Sequence, residues 1–284
     1  MGIFTIARLT IIEAARRKIL LAALILGLLF LVVFGLGFHF IGIEIEKEKQ
    51  ASGMNLVQIN EIRNFLLMAG MYVVNFLTAM MIVLTSVDTL SGEISSGTIQ
   101  SLVAKPIRRW EILGGKWLGF TGMVSLYLIL MGGGVMVIVF IRSGYSPYHP
   151  FPALAMILLN ALLLLSVSLL GGASLSTLAN GVLVFGLYGV AFIGGWIEQI
   201  GSMLPNPGAS QTAMKIGIIT SLIIPSEALW KRAAHELESP LVTAMGFSPF
   251  SARAYPSSIM IAYSILYILV VVMLAFRKFN QRDL

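Results

Sequence analysis

The sequence predicts an all-α integral membrane protein with six transmembrane helices, an N-terminal amphipathic elbow helix and short external helices between helices five and six. Of its 284 residues, 57% are hydrophobic and 11% are charged, whereas a soluble domain carries about 25% charged residues. The apolar residues also form six long runs, and about 20 helical residues suffice to cross the hydrocarbon core. Lipid is therefore the expected solvent for most of the chain.

Residues 1–18 mix charged and apolar side chains at helical spacing, as in a helix that lies along a membrane surface. Residues 19–38 follow with 20 uncharged positions, which predict the first span. This run is longer than the 7–15 apolar residues of a secretory signal peptide, so we expect an uncleaved helix. The apolar stripe of the elbow helix contains Phe4, Ala7, Ile11 and Ala14.

Five further apolar runs predict the remaining spans, at 65–87, 117–141, 153–173, 181–196 and 257–276. Three prolines within 146–152, at positions 147, 150 and 152, predict a non-helical loop there. Residues 198–256 are mixed, and their apolar stretch 216–224 is too short to cross a bilayer, so it predicts a short or re-entrant helix. We treat 1–284 as one transmembrane domain.

Charge distribution predicts the orientation. If the N-terminus lies in the cytoplasm, the cytoplasmic segments hold 11 of the 19 Lys and Arg residues but 5 of the 13 acidic ones, so the whole formal charge of +6 lies on that side. Lys and Arg accumulate in short cytoplasmic loops. We therefore expect a multi-pass protein of the inner or plasma membrane with both termini cytoplasmic, whose basic excess meets anionic membrane lipids and no nucleic acid.

No catalytic, cofactor-binding or metal-ligating residue is assigned. The chain has no cysteine, and its histidines, His39, His149 and His235, are too far apart to place two ligands on one helix face. A phosphate-binding loop would require Ser or Thr after a Gly-Lys pair. Lys116 is instead followed by Trp117.

The connection between the second and third spans, residues 88–116, is polar. Thr98, after Gly97, predicts the cap of a short helix that ends at Pro106, and residues 107–113 predict a second helix leading into the third span. Such a surface helix presents its apolar face either to a soluble partner or to lipid. The face of the first short helix would contain Ile99, Leu102 and Val103.

The residue pattern of this connection resembles that of ABC-2 type permeases. The matching residues are Glu93, Gly97, Thr98, Lys105, Pro106, Arg109, Ile112, Leu113, Gly115 and Lys116. In that family the segment is a coupling helix that seats in a groove of the ATPase subunit. The resemblance therefore implies an ATPase-coupling role for Glu93, Gly97, Thr98, Ile99 and Leu102.

The same resemblance implies a transmembrane permease of an ATP-driven exporter. It would be no enzyme itself, because a separate nucleotide-binding subunit would use the ATP, and a second permease copy or paralogue would complete the transporter. In the family, helices two and five line the translocation path. On helix two this implies polar contacts from Tyr72, Asn75, Thr78 and Thr85, although hydroxyls on a helix also bond their own backbone.

Three other functions are weighed against this one. A secondary transporter or channel is expected to show intramembrane charges or paired broken helices. An intramembrane enzyme requires a catalytic constellation at membrane depth. The sequence predicts neither feature. A membrane assembly subunit without transport would share the topology and the coupling motif.

Overall fold

The computed structural model describes residues 2–16, 18–97, 108–241 and 255–282, and within these ranges the chain forms nine helices and no strand. Six of them, α2 to α6 and α9, are long and apolar enough to cross a membrane, which confirms the predicted fold class. In chain order the helices are α1 (Gly2–Arg16), α2 (Lys18–Ser52), α3 (Leu56–Ser95), α4 (Arg109–Ser143), α5 (Pro150–Gly172), α6 (Thr177–Gly201), α7 (Pro207–Ile223), α8 (Ser226–Leu237) and α9 (Ser258–Asn280).

Helices α2 and α3 extend well beyond their apolar runs. The 35 residues of α2 measure about 52 Å, against about 30 Å of hydrocarbon. The water-exposed part of α2 stays helical because its charges pair one turn apart, with Lys47 Nζ 3.1 Å from Glu44 and Lys49 Nζ 3.3 Å from Glu46. The predicted first span ends at residue 38, whereas the helix continues to Ser52.

Two predicted breaks are wrong. Helix α5 begins at Pro150, inside the string predicted to be non-helical, because proline fits the first turn of a helix, where the backbone N–H has no intrahelical partner. The predicted separate helix at 107–113 is continuous with the third span from Arg109 onward. The short helix expected between Thr98 and Pro106 lies outside the described residues.

The elbow helix α1 packs closely against α4 at two glycines. Gly115 and Gly119 lie one turn apart on α4, and a Cβ at Gly115 would meet Ile6 Cβ at 2.6 Å and Ile3 O at 2.8 Å. The side of α1 that faces α4 buries Ile6, Thr10 and Ala14. Phe4 and Ile11 of the predicted apolar stripe are exposed, as expected for side chains in contact with lipid.

The core of the bundle lies along α3 and α5, which contribute most of the fully buried side chains. Helix α2 contacts α3 and α4 along one side and exposes large apolar residues such as Leu29 and Val33 on the other. In a bilayer these residues meet acyl chains, which are as apolar as they are. The fold therefore buries α3 and α5 and leaves α2 largely to lipid.

In the described part of the segment between the fifth and sixth spans, residues 202–241 and 255–257, two helices, α7 and α8, are bent by 107° at Pro225. Helix α7 has 17 residues, which is longer than the predicted stretch 216–224. It packs against α6, while α8 packs against α5. In the predicted six-span topology this segment lies on the face of the membrane opposite the termini. We call the two sides the termini face and the opposite face.

Candidate functional site

The two ends of the 88–116 connection are joined by a buried ion pair on the termini face. Glu93 lies near the end of α3 and Lys116 near the start of α4. The Lys116 ammonium donates a hydrogen bond to Glu93 Oε1, and the two side chains are 3% and 9% exposed, respectively. Each charge offsets the desolvation of the other. The pair therefore fixes the helix that leads into residues 98–107 to the helix that leads out of them.

Gly97 ends α3. Its φ of 72° lies in the left-handed region, which glycine adopts without the steric cost that a Cβ brings. This geometry sets the direction in which the chain leaves the helix. The next predicted coupling residues, Thr98, Ile99 and Leu102, lie outside the described residues.

The end of α3 is also bonded to α5 and α6. The Asn180 amide donates to Val87 O at 3.1 Å and to Ser168 O at 3.0 Å, and the Ser91 and Thr177 hydroxyls are 2.9 Å apart. Three spans thus meet around one buried asparagine. These bonds join the end of α3 to the end of α5 and the start of α6.

A second set of contacts, the C-terminal bridge, consists of Arg109, residues 280–282 and Ala173. Arg109 Nη1 donates to Asn280 O at 3.1 Å and to Arg282 O at 2.7 Å. Arg282 Nη1 in turn donates to Ala173 O, the end of α5, at 2.8 Å. Carbonyls at a helix C-terminus lack intrahelical partners and carry partial negative charge, so a guanidinium suits them. The bridge joins the start of α4 to the ends of α9 and α5.

Three predicted path residues of α3 are buried, and one of them bonds to α5. Asn75 Oδ1 accepts a hydrogen bond from Asn160 Nδ2 at 3.0 Å. Thr85 donates to Met81 O at 2.7 Å, the local backbone bond that helical hydroxyls commonly make. The Thr78 hydroxyl has no hydrogen-bond partner among the described residues. All three side chains point into the bundle.

Tyr72, the fourth predicted path residue, is partly exposed near the opposite face. Trp196 Nε1 donates to its hydroxyl at 2.8 Å, and the Trp230 ring lies 5.1 Å from its own. Tyr72 therefore contacts both α6 and α8. Asn75, by contrast, bonds to α5.

Beside Tyr72, a group of charged residues joins α6 to α8. Lys231 Nζ donates to Glu198 Oε2 at 2.6 Å, with the lysine side chain 5% exposed. The pKa of the Glu227 carboxyl is raised to about 7, chiefly by burial. Lys231 lowers this pKa, and the negative charge of Glu198 raises it. Burial of one cation with two carboxylates favours a proton on Glu227.

Sequence reasoning missed the partners in these contacts. Lys116 was noted for its place in a motif, but its position immediately before an uncharged run was a signal that its charge would be buried and would need a partner. Asn180 lies between the predicted spans 153–173 and 181–196. Neither contact was evident along the chain, because the partners come from different helices.

A family model described as ABC-2 family transporter protein matches residues 4–284. The match includes the elbow helix, all six spans and the 88–116 connection. No curated protein matches the chain by sequence. A family match over nearly the whole chain, together with six membrane-spanning helices, shows that this multi-pass membrane protein belongs to the ABC-2 transporter family and is a permease subunit of an ABC transporter.

Proposed function

We propose that this permease is part of an ATP-driven exporter, in which a separate ATPase subunit binds the 88–116 connection from the cytoplasm. The observation that carries the proposal is the attachment of residues 98–107 at both ends. The Glu93–Lys116 pair holds α3 to α4 where the segment leaves and rejoins the bundle. A partner that displaces the segment must therefore move two spans.

The contacts around Asn180 extend this movement to the helices that line the path in the family, which are α3 and α6 here. Asn180 lies on α6 and bonds the α3 carbonyl of Val87. The two helices also share an aromatic contact, with the Phe76 and Tyr188 rings 6.4 Å apart. ATP-driven closure of the partner subunits would then change the α3–α6 surface, where a second permease copy or paralogue would pack.

The proposed orientation places the termini face in the cytoplasm. All of the formal net charge lies in the segments on that face, and Lys and Arg accumulate in short cytoplasmic loops. Coupling at residues 88–116 requires this orientation, because ATP and the ATPase are cytoplasmic. The chain itself would bind no nucleotide.

Copurification tests the proposal. The permease is coexpressed with its candidate ATPase subunit, as wild type and as I99D/L102D, which places charge on the predicted apolar face. The control is L56D/V57D, because Leu56 and Val57 are exposed on the opposite face. We expect the ATPase to be lost from I99D/L102D alone. Retention of the ATPase at the wild-type ratio by I99D/L102D contradicts the proposal.

A further inference from the structure

A cavity of about 290 Å³ on the opposite face is enclosed by α2, α3 and α4. Basic side chains come to it from all three helices. His39 lies on α2, Arg63 on α3 and Arg142 on α4, and Glu46 is the one acidic side chain in its lining.

The basic residues lie where the membrane ends. The uncharged run of α4 stops immediately before Arg142, and that of α3 begins just after Arg63. In α2, His39 follows 20 uncharged residues and lies five residues before Glu44, the first charged side chain after that run. Such positions correspond to the headgroup level of a bilayer. The cavity therefore lies at the membrane–water interface, within reach of lipid headgroups and dissolved anions.

The two guanidinium groups have no carboxylate within salt-bridge distance in the parts of the chain that the structure describes. Arg63 Nη1 donates to Asn60 Oδ1 at 3.2 Å, and Arg142 Nη1 lies 3.4 Å from His39 Nδ1. The first contact is to an amide and the second to an imidazole, so neither supplies a negative charge.

Glu46 does not neutralise the cavity. Its carboxylate accepts a hydrogen bond from Lys49 at 3.3 Å, and its side chain is 56% exposed. Arg63 and Arg142 supply two positive charges against the single carboxylate of Glu46, so the cavity has an excess of positive charge. Most of the N–H donors of the two guanidinium groups also remain available to a ligand. Each guanidinium has five N–H donors in a planar fork, which fits phosphate oxygens.

We propose that this cavity binds an anionic phosphate group, with Arg63 and Arg142 as its ligands. A phospholipid headgroup and free inorganic phosphate share this chemistry. The headgroup level of the cavity favours the lipid. This site is separate from the proposed ATPase-binding connection, which lies on the other side of the membrane.

The test uses full-length protein, delipidated in a neutral detergent without phosphate. Phosphatidylglycerol or inorganic phosphate is titrated, and bound lipid is followed by native mass spectrometry and by the thermal midpoint. We expect R63Q/R142Q to weaken phosphatidylglycerol binding by about tenfold or more. The control K47Q/K215Q removes two exposed cations outside the cavity and is expected to bind as wild type does.

Three further outcomes of the titration would each support or overturn the proposed phosphate site. Binding of inorganic phosphate alone, lost in R63Q/R142Q, supports the phosphate site and identifies the dissolved ion as its source. Equal weakening in R63Q/R142Q and K47Q/K215Q overturns the site, because it shows only nonspecific attraction to charge. Binding by R63Q/R142Q equal to wild type also overturns it.

A second variant distinguishes the loss of phosphate ligands from a loss of folding. R63K/R142K keeps both charges but removes the planar forks, so we expect a folded protein with weaker phosphatidylglycerol binding than wild type. Wild-type affinity in R63K/R142K overturns the assignment of the two guanidinium groups as ligands.

Discussion

At the scale of single residues, Glu93 and Lys116 are charges removed from water on either side of a surface segment. Removing one partner leaves the other buried without its counter-charge, which costs about 3–5 kcal/mol. We therefore expect E93Q and K116M each to lower the thermal midpoint strongly, and the charge swap E93K/K116E to recover much of the loss. Thermal unfolding in detergent measures these effects.

The matched control for this pair is E44Q. Glu44 pairs with Lys47 across an exposed turn, and surface pairs contribute about 0–1 kcal/mol. A midpoint for E93Q as high as that of E44Q would show that the buried pair contributes little to stability.

Glu227 makes the stability depend on pH. Its pKa is raised from 4.5 to about 7 in the folded protein, so the folded state holds this proton at pH values where the unfolded state has released it. The contribution is full below about pH 4.5 and is lost as the pH rises through about 7. We expect the thermal midpoint of wild type to fall over this range more steeply than that of E227Q.

The groups that surround Glu227 define the control. Lys231, Glu198 and the hydroxyls of Tyr72 and Tyr188 face it from α8, α6 and α3. Wild type and E227Q share every other titratable group, so the difference between their pH profiles reports the titration of Glu227. Parallel pH profiles for wild type and E227Q would contradict the assignment.

At the scale of helices, the elbow helix depends on glycine at one crossing. G115A would bring a Cβ within 2.6 Å of Ile6 Cβ and 2.8 Å of a backbone oxygen, and overpacking of this kind costs about 1–3 kcal/mol. We expect α1 to separate from α4. Because the chain has no cysteine, a single cysteine introduced at Thr10, which is buried, should react faster with a thiol reagent in G115A.

Gly122 on the same helix provides the control. A Cβ there would meet its nearest atom at 4.0 Å, which is an ordinary contact. G122A should leave the reactivity of the cysteine at position 10 unchanged. Equal reactivity in G115A and G122A would mean that close packing at Gly115 does not hold α1.

The C-terminal bridge predicts local protection of the chain end. R282Q removes the bond to Ala173 O, so we expect faster amide exchange over residues 277–282 while the rest of α9 stays protected. R277Q, which changes an exposed residue of the same turn, should leave exchange unchanged. Hydrogen–deuterium exchange with mass spectrometry measures both, and equal exchange in the two variants would contradict the bridge.

The sequence predicts where the helices lie, but it does not predict which residues of different helices meet. Hydropathy predicts all six spans because each helix that crosses lipid needs a long run of apolar residues. It missed the extension of α2 through Ser52, since charges spaced one turn apart also stabilise a helix in water. It missed the Glu93–Lys116 pair because the two residues are 23 positions apart, and only the packing of α3 against α4 brings them together.

For the whole molecule, the four predicted path residues show that the sequence does not reveal which neighbouring helix each side chain contacts. Asn75, Thr78 and Thr85 are buried, with Asn75 bonded to α5, while Tyr72 contacts α6 and α8. Helical position alone does not decide which side of a buried helix faces a neighbour. The α3–α6 surface carries the partly exposed Tyr72 and the exposed Phe76, so it remains the predicted location of contacts with cargo.

In the proposed transporter, residues 88–116 transmit ATP-driven movement from a cytoplasmic partner to the spans. Site-specific photocrosslinking detects this partner, with benzoylphenylalanine placed at position 99 or, as the control, at position 57 on the opposite face. We expect a crosslink to a nucleotide-binding subunit from position 99 and none from position 57. A crosslink from position 57, or none from position 99 in an active transporter, would contradict it.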